Sequence, residues 1–335
     1  MATNQEGRHE SFRAISGTSG NYNSDWLAAI NADGITTSNI NSAIIEWLQQ
    51  RIPSTKTNIN ELQQEYAKSI GFNSWNDINM IPNVNTFTIQ VKTDNTGTSN
   101  NDQFTNPTVS AGVYTGSMVD WGDGGALEYI DTYNDARWTH TFLGGAGTYT
   151  VKIYNKFQGI SFNNGGDKSK LINISQWGIF DFGNVPGAFY GCNNLTSITA
   201  TDKPGLTGTT DFSNNFRLTG SMLTIFGIAS WNWSTVENML ATWLNSGFGS
   251  SLDGANFDSL NYLGYTFFGS NFNSLIGQDQ VGGRLPLVTD MTHAYSYNTD
   301  FDQNLGVYNI ENVTVMDNVA DNSGLSQANY DLTLE

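Results

Sequence analysis

The apolar residues of this chain change their period twice. Before Gly71 they recur at helical spacing: Trp26, Leu27 and Ile30 ahead of Gly34, then Ile40, Ala43, Ile44, Trp47 and Leu48 ahead of Pro53, then Ile59, Leu62, Tyr66 and Ile70. Steps of three and four residues put such side chains on one helix face. Thr37 or Ser38 suits an N-cap, and Gly34 suits the position just past a helix end. Helices this short are marginal alone, so the stripes predict a small helical module that packs on itself or on a partner. Over residues 86–91 the pattern alternates, with Phe87, Ile89 and Val91 on one side, as in a half-buried strand. Residues 117–121 and 148–153 read as further strands, and Asp123-Gly124 after an apolar run predicts a hairpin turn. Together, residues 83–155 read as a small β-sandwich.

A third, longer period begins near Phe180. The template apolar-x-x-apolar-x-x-x-aromatic fits Thr209/Phe212/Phe216, Val236/Met239/Trp243, Leu260/Leu263/Phe267 and Val288/Met291/Tyr295. A last copy, Val313/Met316/Ala320, keeps its first two positions, and a degraded earlier one starts at Val185 with Phe189 as its aromatic. Successive starts are 27, 24, 28 and 25 residues apart. Offsets of zero, three and seven fall on one face of a helix, and Ser234 with Glu237 reads as a capping box. Runs such as 305–310 supply one strand each. Units this small cannot bury their own apolar face, so stacking into a leucine-rich-repeat-like solenoid of about 25-residue units is the expectation.

Composition narrows the function. Hydrophobic residues make up 38% of the 335-residue chain and aromatics 13%, enough for packed cores. The formal charge of −17 argues against nucleic acid, which demands clustered Lys and Arg, and against adsorption to anionic lipid. Residues 1–20 hold no apolar signal segment, and no run approaches the roughly 18 apolar residues of a membrane span. A soluble chain without membrane insertion, not exported by the common route, is expected. The one cysteine, Cys192, sits among Ala188, Phe189 and Tyr190 and reads as a buried packing thiol.

No metalloprotease, serine-hydrolase, P-loop or dinucleotide motif occurs, so no catalytic residue, cofactor or metal ligand is assigned. Asp120, Asp123, Glu128 and Asp131 crowd one turn; turn propensity explains most of them, with a weak calcium site left open. His140 reads as a strand residue, and His293 sits beside the packing positions Met291 and Tyr295.

Three resemblances add to this reading. Trp121-Gly122-Asp123-Gly124, His140-Thr141-Phe142 and the run from Gly147 through Tyr149 to Ile153 resemble, in order, the signature of polycystic-kidney-disease-type (PKD-like) β-sandwich domains, which implies an extracellular-type spacer or binding module. The repeats, the junction from Ile160 to Gly178 and the ending from Gly324 to Asp331 resemble the bacterial surface protein A-like (BspA-like) family. The blocks Asn21–Leu27 and Asn39–Leu48 resemble modules near the start of phage virion proteins.

The expected fold class is multidomain α+β: a flexible arm and helical anchoring module at 1–82, a PKD-like β-sandwich and junction at 83–178, and the repeat solenoid at 179–335. The expected function is a non-enzymatic bacteriophage virion surface protein: decoration, fibre or host-adhesion component. Trp26, Leu27, Ile40, Ile44, Trp47 and Leu48 would anchor it to a capsid or tail protein, and the repeats would meet a host surface protein or glycan. The alternative is a bacterial cell-surface adhesin; a polysaccharide hydrolase is the third reading. Self-association stays open.

Overall fold

In the computed structural model, residues 45–46, 48–49, 55–69, 86–125, 127–220, 223–279 and 283–334 are described. Helix α1 (Ile59–Ser69) opens at Asn58, whose side-chain oxygen accepts from the Asn60 amide at 2.9 Å, an N-cap contact. It buries Leu62 and Gln63. Of the anchoring residues, Leu48 is helical and buried, whereas Trp26, Leu27, Ile40, Ile44 and Trp47 lie outside the described residues.

Thirteen strands follow: β1 (Phe87–Lys92), β2 (Gln103–Thr105), β3 (Thr108–Val113), β4 (Ser117–Asp120), β5 (Glu128–Ile130), β6 (Thr139–Thr141), β7 (Thr148–Tyr154), β8 (Phe157–Ile160), β9 (Leu171–Gln176), β10 (Phe180–Asp181), β11 (Ser197–Ile198), β12 (Leu252–Asp253) and β13 (Ile276–Gly277). The largest sheet runs β11-β9-β1-β7-β4-β5, and a second runs β10-β8-β3. The alternation of β1 does what its pattern predicts: Phe87, Ile89 and Val91 are buried, with Ile89 opposite Val151 on β7. Phe87 stacks on Phe157 at 5.6 Å and Phe180 at 4.6 Å, tying the two sheets through aromatic contacts. Tyr114 on the following turn donates its hydroxyl to the Gly159 carbonyl and accepts from the Val109 amide, and burial pushes its pKa up to about 12.

Beyond β10 the regular sheet gives way to turns, stacked one on the next. Single parallel bridges join Asp211 to Asn238, Asn238 to Tyr262, Tyr262 to Asp290 and Asp290 to Val315. Amides of each turn donate to carbonyls of the next: Phe216 to Thr242, Trp243 to Thr266 and Phe267 to Ala294 at 2.9 Å, and Tyr295 to Val319 at 2.8 Å. We call each such turn a rung. The apolar positions inside stack in register. Phe189 lies on Phe216 (5.4 Å), Phe216 on Trp243 (6.4 Å), Trp243 on Phe267 (5.4 Å) and Phe267 on Tyr295 (5.4 Å), the last three pairs within 8° of parallel. The buried cluster runs without a break from Phe87 to Tyr308.

These observations overturn the expected fold class. Strands, bridges and turns dominate; besides the helical residues around Leu48, the described residues hold two α-helices, α1 and α2 (Gln327–Leu334), so they are mostly β rather than α+β. Among the described residues no closed or solenoid sheet forms: beyond β11 only β12 and β13 pair, over two residues, and the rungs otherwise share isolated bridges, so the leucine-rich-repeat-like solenoid expected at 179–335 is not shown. The offsets of zero, three and seven are not helical either. In every rung two residues four apart take positive φ: Asn214 and Leu218, Ala241 and Asn245, Tyr265 and Gly269, His293 and Tyr297, Asn318 and Asn322. A left-handed residue between the second apolar position and the aromatic breaks any α-helix. Ser234 caps no helix; its hydroxyl bonds Asn232, and the Glu237 amide donates to Thr210. The run expected as a strand at 305–310 begins as a 3-10 turn, Leu305–Val307.

Magnitudes explain why the left-handed backbone persists. Each non-glycine residue there costs about 1–2 kcal/mol, whereas removing one buried aromatic from a packed column costs about 3–5 kcal/mol. The column and its hydrogen bonds outweigh the strain. Asn214 tests this, because its side chain does little beyond accepting from Arg217 at 3.2 Å. Asn214→Gly and Asn214→Val both lose that contact, so their difference reports the backbone. Val is expected to be less stable than Gly by about 1–2 kcal/mol in urea melts; equal midpoints would mean position 214 is not left-handed.

Candidate functional site

The six PKD-like signature residues gather at one corner of the large sheet. The Trp121 ring is buried and lies on the His140 imidazole at 4.6 Å and 6°, and its indole nitrogen donates to Glu128 at 3.1 Å. One Asp123 oxygen meets His140 Nε2 and the Leu143 amide, both at 2.9 Å; the other accepts from the Gly125 amide at 3.0 Å. Gly122 has φ +76°, and a Cβ there would meet the Thr150 carbonyl at 2.2 Å, so only glycine fits. Gly124 also takes positive φ, and Tyr149 stacks on Phe142 at 4.0 Å while donating its hydroxyl to Gly145. Asp120 accepts from the Gly122 amide and Asp131 from the Gly116 amide. These carboxylates hold turns together, and no group of three His, Cys, Asp or Glu arranged for a metal occurs among the described residues.

Burial raises the Asp123 pKa, but the His140 bond and the Leu143 and Gly125 amides outweigh it and leave the carboxyl below its usual value. A depressed carboxyl pKa stabilises the fold above the unfolded value, near 3.9, and that contribution is lost as pH falls through the folded value. The melting temperature of the native chain should therefore drop more steeply below about pH 4 than that of Asp123→Asn. Parallel melting curves against pH would contradict this.

A second cluster left no mark in the sequence patterns. Asp167 and Lys170 are fully buried. The Lys170 ammonium bonds the carbonyls of Ser99, Asn100 and Gln103 at 3.1, 2.7 and 2.8 Å and the Ser99 hydroxyl at 2.8 Å. Asp167 accepts from the amides of Thr98, Ser99 and Thr105 at 2.9, 3.0 and 2.7 Å. Burial lowers the Lys170 pKa against the pull of Asp167 and Asp102. The pair clips the loop before β2 onto the segment leading to β9. Lys170→Met would leave three carbonyls and a carboxylate facing an apolar side chain, a loss of about 3–5 kcal/mol on denaturation.

The repeat-core residues divide. Phe212, Phe216, Val236, Met239, Trp243, Leu260, Leu263, Phe267, Val288, Met291 and Tyr295 are buried in one cluster. The last rung departs from the expectation: Val313 is only partly buried and Met316 is 36% exposed, because no further described rung covers them. Cys192 is buried, and burial pushes its thiol well above its ordinary pKa.

The rungs also create a surface feature. A shallow groove of about 620 Å³ crosses four of them, at Gly191, Leu218, Asn245 and Gly269. Asn164, Asn193, Asn245 and Asn271 line it, with Lys168 its charged side chain. In the next rung Tyr297 takes the same place: as Asn245 donates to Phe268, Gly269 donates to Ser296 and Tyr297 to Asp321. Tyr297 is 52% exposed and its ring packs on Phe268 at 5.0 Å, and His293 stacks on Tyr265 at 4.8 Å beside it. His293, read from sequence as a neighbour of packing residues, is thus partly buried in an aromatic cluster. No protein-family model, curated protein or solved structure matches the chain.

Proposed function

We propose that this chain is a non-enzymatic surface protein of a bacteriophage virion, and that its stacked rungs present a polar groove to the host. The groove crossing successive rungs is the observation that carries the reading. An extended contact surface built on a rigid, repetitively hydrogen-bonded scaffold suits recognition of an elongated partner. Two acid–base pairs that could have served chemistry, Asp123 with His140 and Asp167 with Lys170, are engaged in holding turns and loops. The charge of −17 favours solubility and repulsion between displayed copies. The N-terminal resemblance to virion modules supplies the anchoring side of the proposal, with a capsid or tail protein as the partner.

Localisation tests it. The chain should co-purify with intact particles through a density gradient and be reachable by antibody on their surface. Its absence from purified particles would sink the reading.

A further inference from the structure

Resting on that reading, we infer that the groove takes a single extended strand of an uncharged polysaccharide, with one sugar ring laid against Tyr297. The lining excludes the other polymer classes in turn. It carries no carboxylate, although the chain holds 31 Asp and Glu, so a basic partner finds no counter-charge there. Its one cation, Lys168, has two of its three donors on Asn164 oxygens, and a single positive charge on a chain of net charge −17 is too little for a polyanion, which demands clustered cations. Extended peptides bind chiefly by pairing with free backbone groups at a sheet edge. Here the amides of Gly191, Leu218, Asn245 and Gly269 are spent on the carbonyls of the next rung, at 2.8, 2.9, 2.7 and 2.9 Å.

What the groove does offer is carboxamide. A carboxamide carries two donors and an acceptor, the combination that matches a hydroxyl, itself donor and acceptor; Asn164 gives its oxygen to Lys168 and Asn271 its amide to Asp300, which leaves Asn193 and Asn245. Asn193 and Asn245 are exposed and make no side-chain hydrogen bond to the described protein. The floor beneath is bare: a Cβ at Gly191 would meet the Asn164 side-chain oxygen at 2.3 Å, and one at Gly269 that of Asn245 at 2.3 Å. Rungs joined by amide-to-carbonyl bonds lie about 4.8 Å apart, close to the length of one pyranose ring, so successive sugars meet successive rungs. At the end of the run the Tyr297 ring is braced by Phe268 and only half covered, a flat apolar face suited to the C–H face of a sugar.

Calorimetry on the full chain, with an array of neutral hexasaccharides (β-glucan, α-glucan and chitin-type), heparin and an uncharged unstructured peptide, tests this. At least one neutral hexasaccharide should bind and heparin and the peptide should not. Tyr297→Asn, which suits the left-handed backbone, and Asn193→Ala should each weaken binding by about tenfold with unchanged melting curves. Failure of every neutral hexasaccharide, preference for heparin or the peptide, or binding indifferent to both substitutions would overturn the inference. The surface-protein reading fails separately: if the chain is missing from particles, that reading falls whatever the chain binds, and if particles carry it but no neutral glycan binds, only the inference falls.

Discussion

The amide-to-carbonyl bond between one rung and the next is the constraint on which the second half of this protein depends. A turn of eight or so residues leaves many backbone groups without partners inside itself, and burying them unpaired would cost more than the turn could return. Stacking at a constant register resolves this. The Trp243 amide finds Thr266 and the Phe267 amide finds Ala294, and the same displacement lays Trp243 on Phe267 and Phe267 on Tyr295. Hydrogen bonding and aromatic packing thus demand one geometry, which is why it tolerates residues as ill-suited to a left-handed backbone as Leu218, Tyr265 and His293. Hydroxyls reinforce it: Thr219, Ser246 and Ser270 each donate to the carbonyl three residues back, at Phe216, Trp243 and Phe267.

The same backbone geometry makes the surface. The second left-handed residue of a pair turns its side chain out of the stack, so the positions bearing Asn245, Tyr297 and Asn322 form a row facing solvent, whereas the aromatics between the paired left-handed sites face inward. Where that row is Gly and Asn it is a groove, and where it is Tyr it is a ledge. The β portion contributes in another way. Strand β9 pairs with β1 in the large sheet and with β11 from the rung region, so the first rungs grow from the edge of a sheet already ordered by Phe87, Phe157 and Phe180.

The repeat interval and its aromatic position were legible in the linear order, and so were the alternating strand β1 and the buried state of Cys192. The conformation of the repeat was not. Steps of three and four fit a helix face, but they fit a turn reset by a left-handed residue equally well, and periodicity alone does not separate the two. Gly187, Asn214 and Asn318, each falling two residues before the column position, were the available signal, since Gly and Asn tolerate positive φ best. The Asp167–Lys170 clip carried no signal at all, because its partners at residues 98–105 lie more than sixty positions away.

What the chain alone determined is therefore its period, its apolar positions, its charge and the turn chemistry of Asp123-Gly124, all properties of residues near one another in sequence. The tertiary structure decided the rest: left-handed rungs in place of helices, bridges in place of a solenoid sheet, a lysine buried among carbonyls, and a groove across four turns. Each of these depends on contacts between residues 23 or more positions apart, as from Trp243 to Thr266. Such contacts exist only once stacking has brought distant segments to hydrogen-bonding distance, and no local pattern encodes that distance.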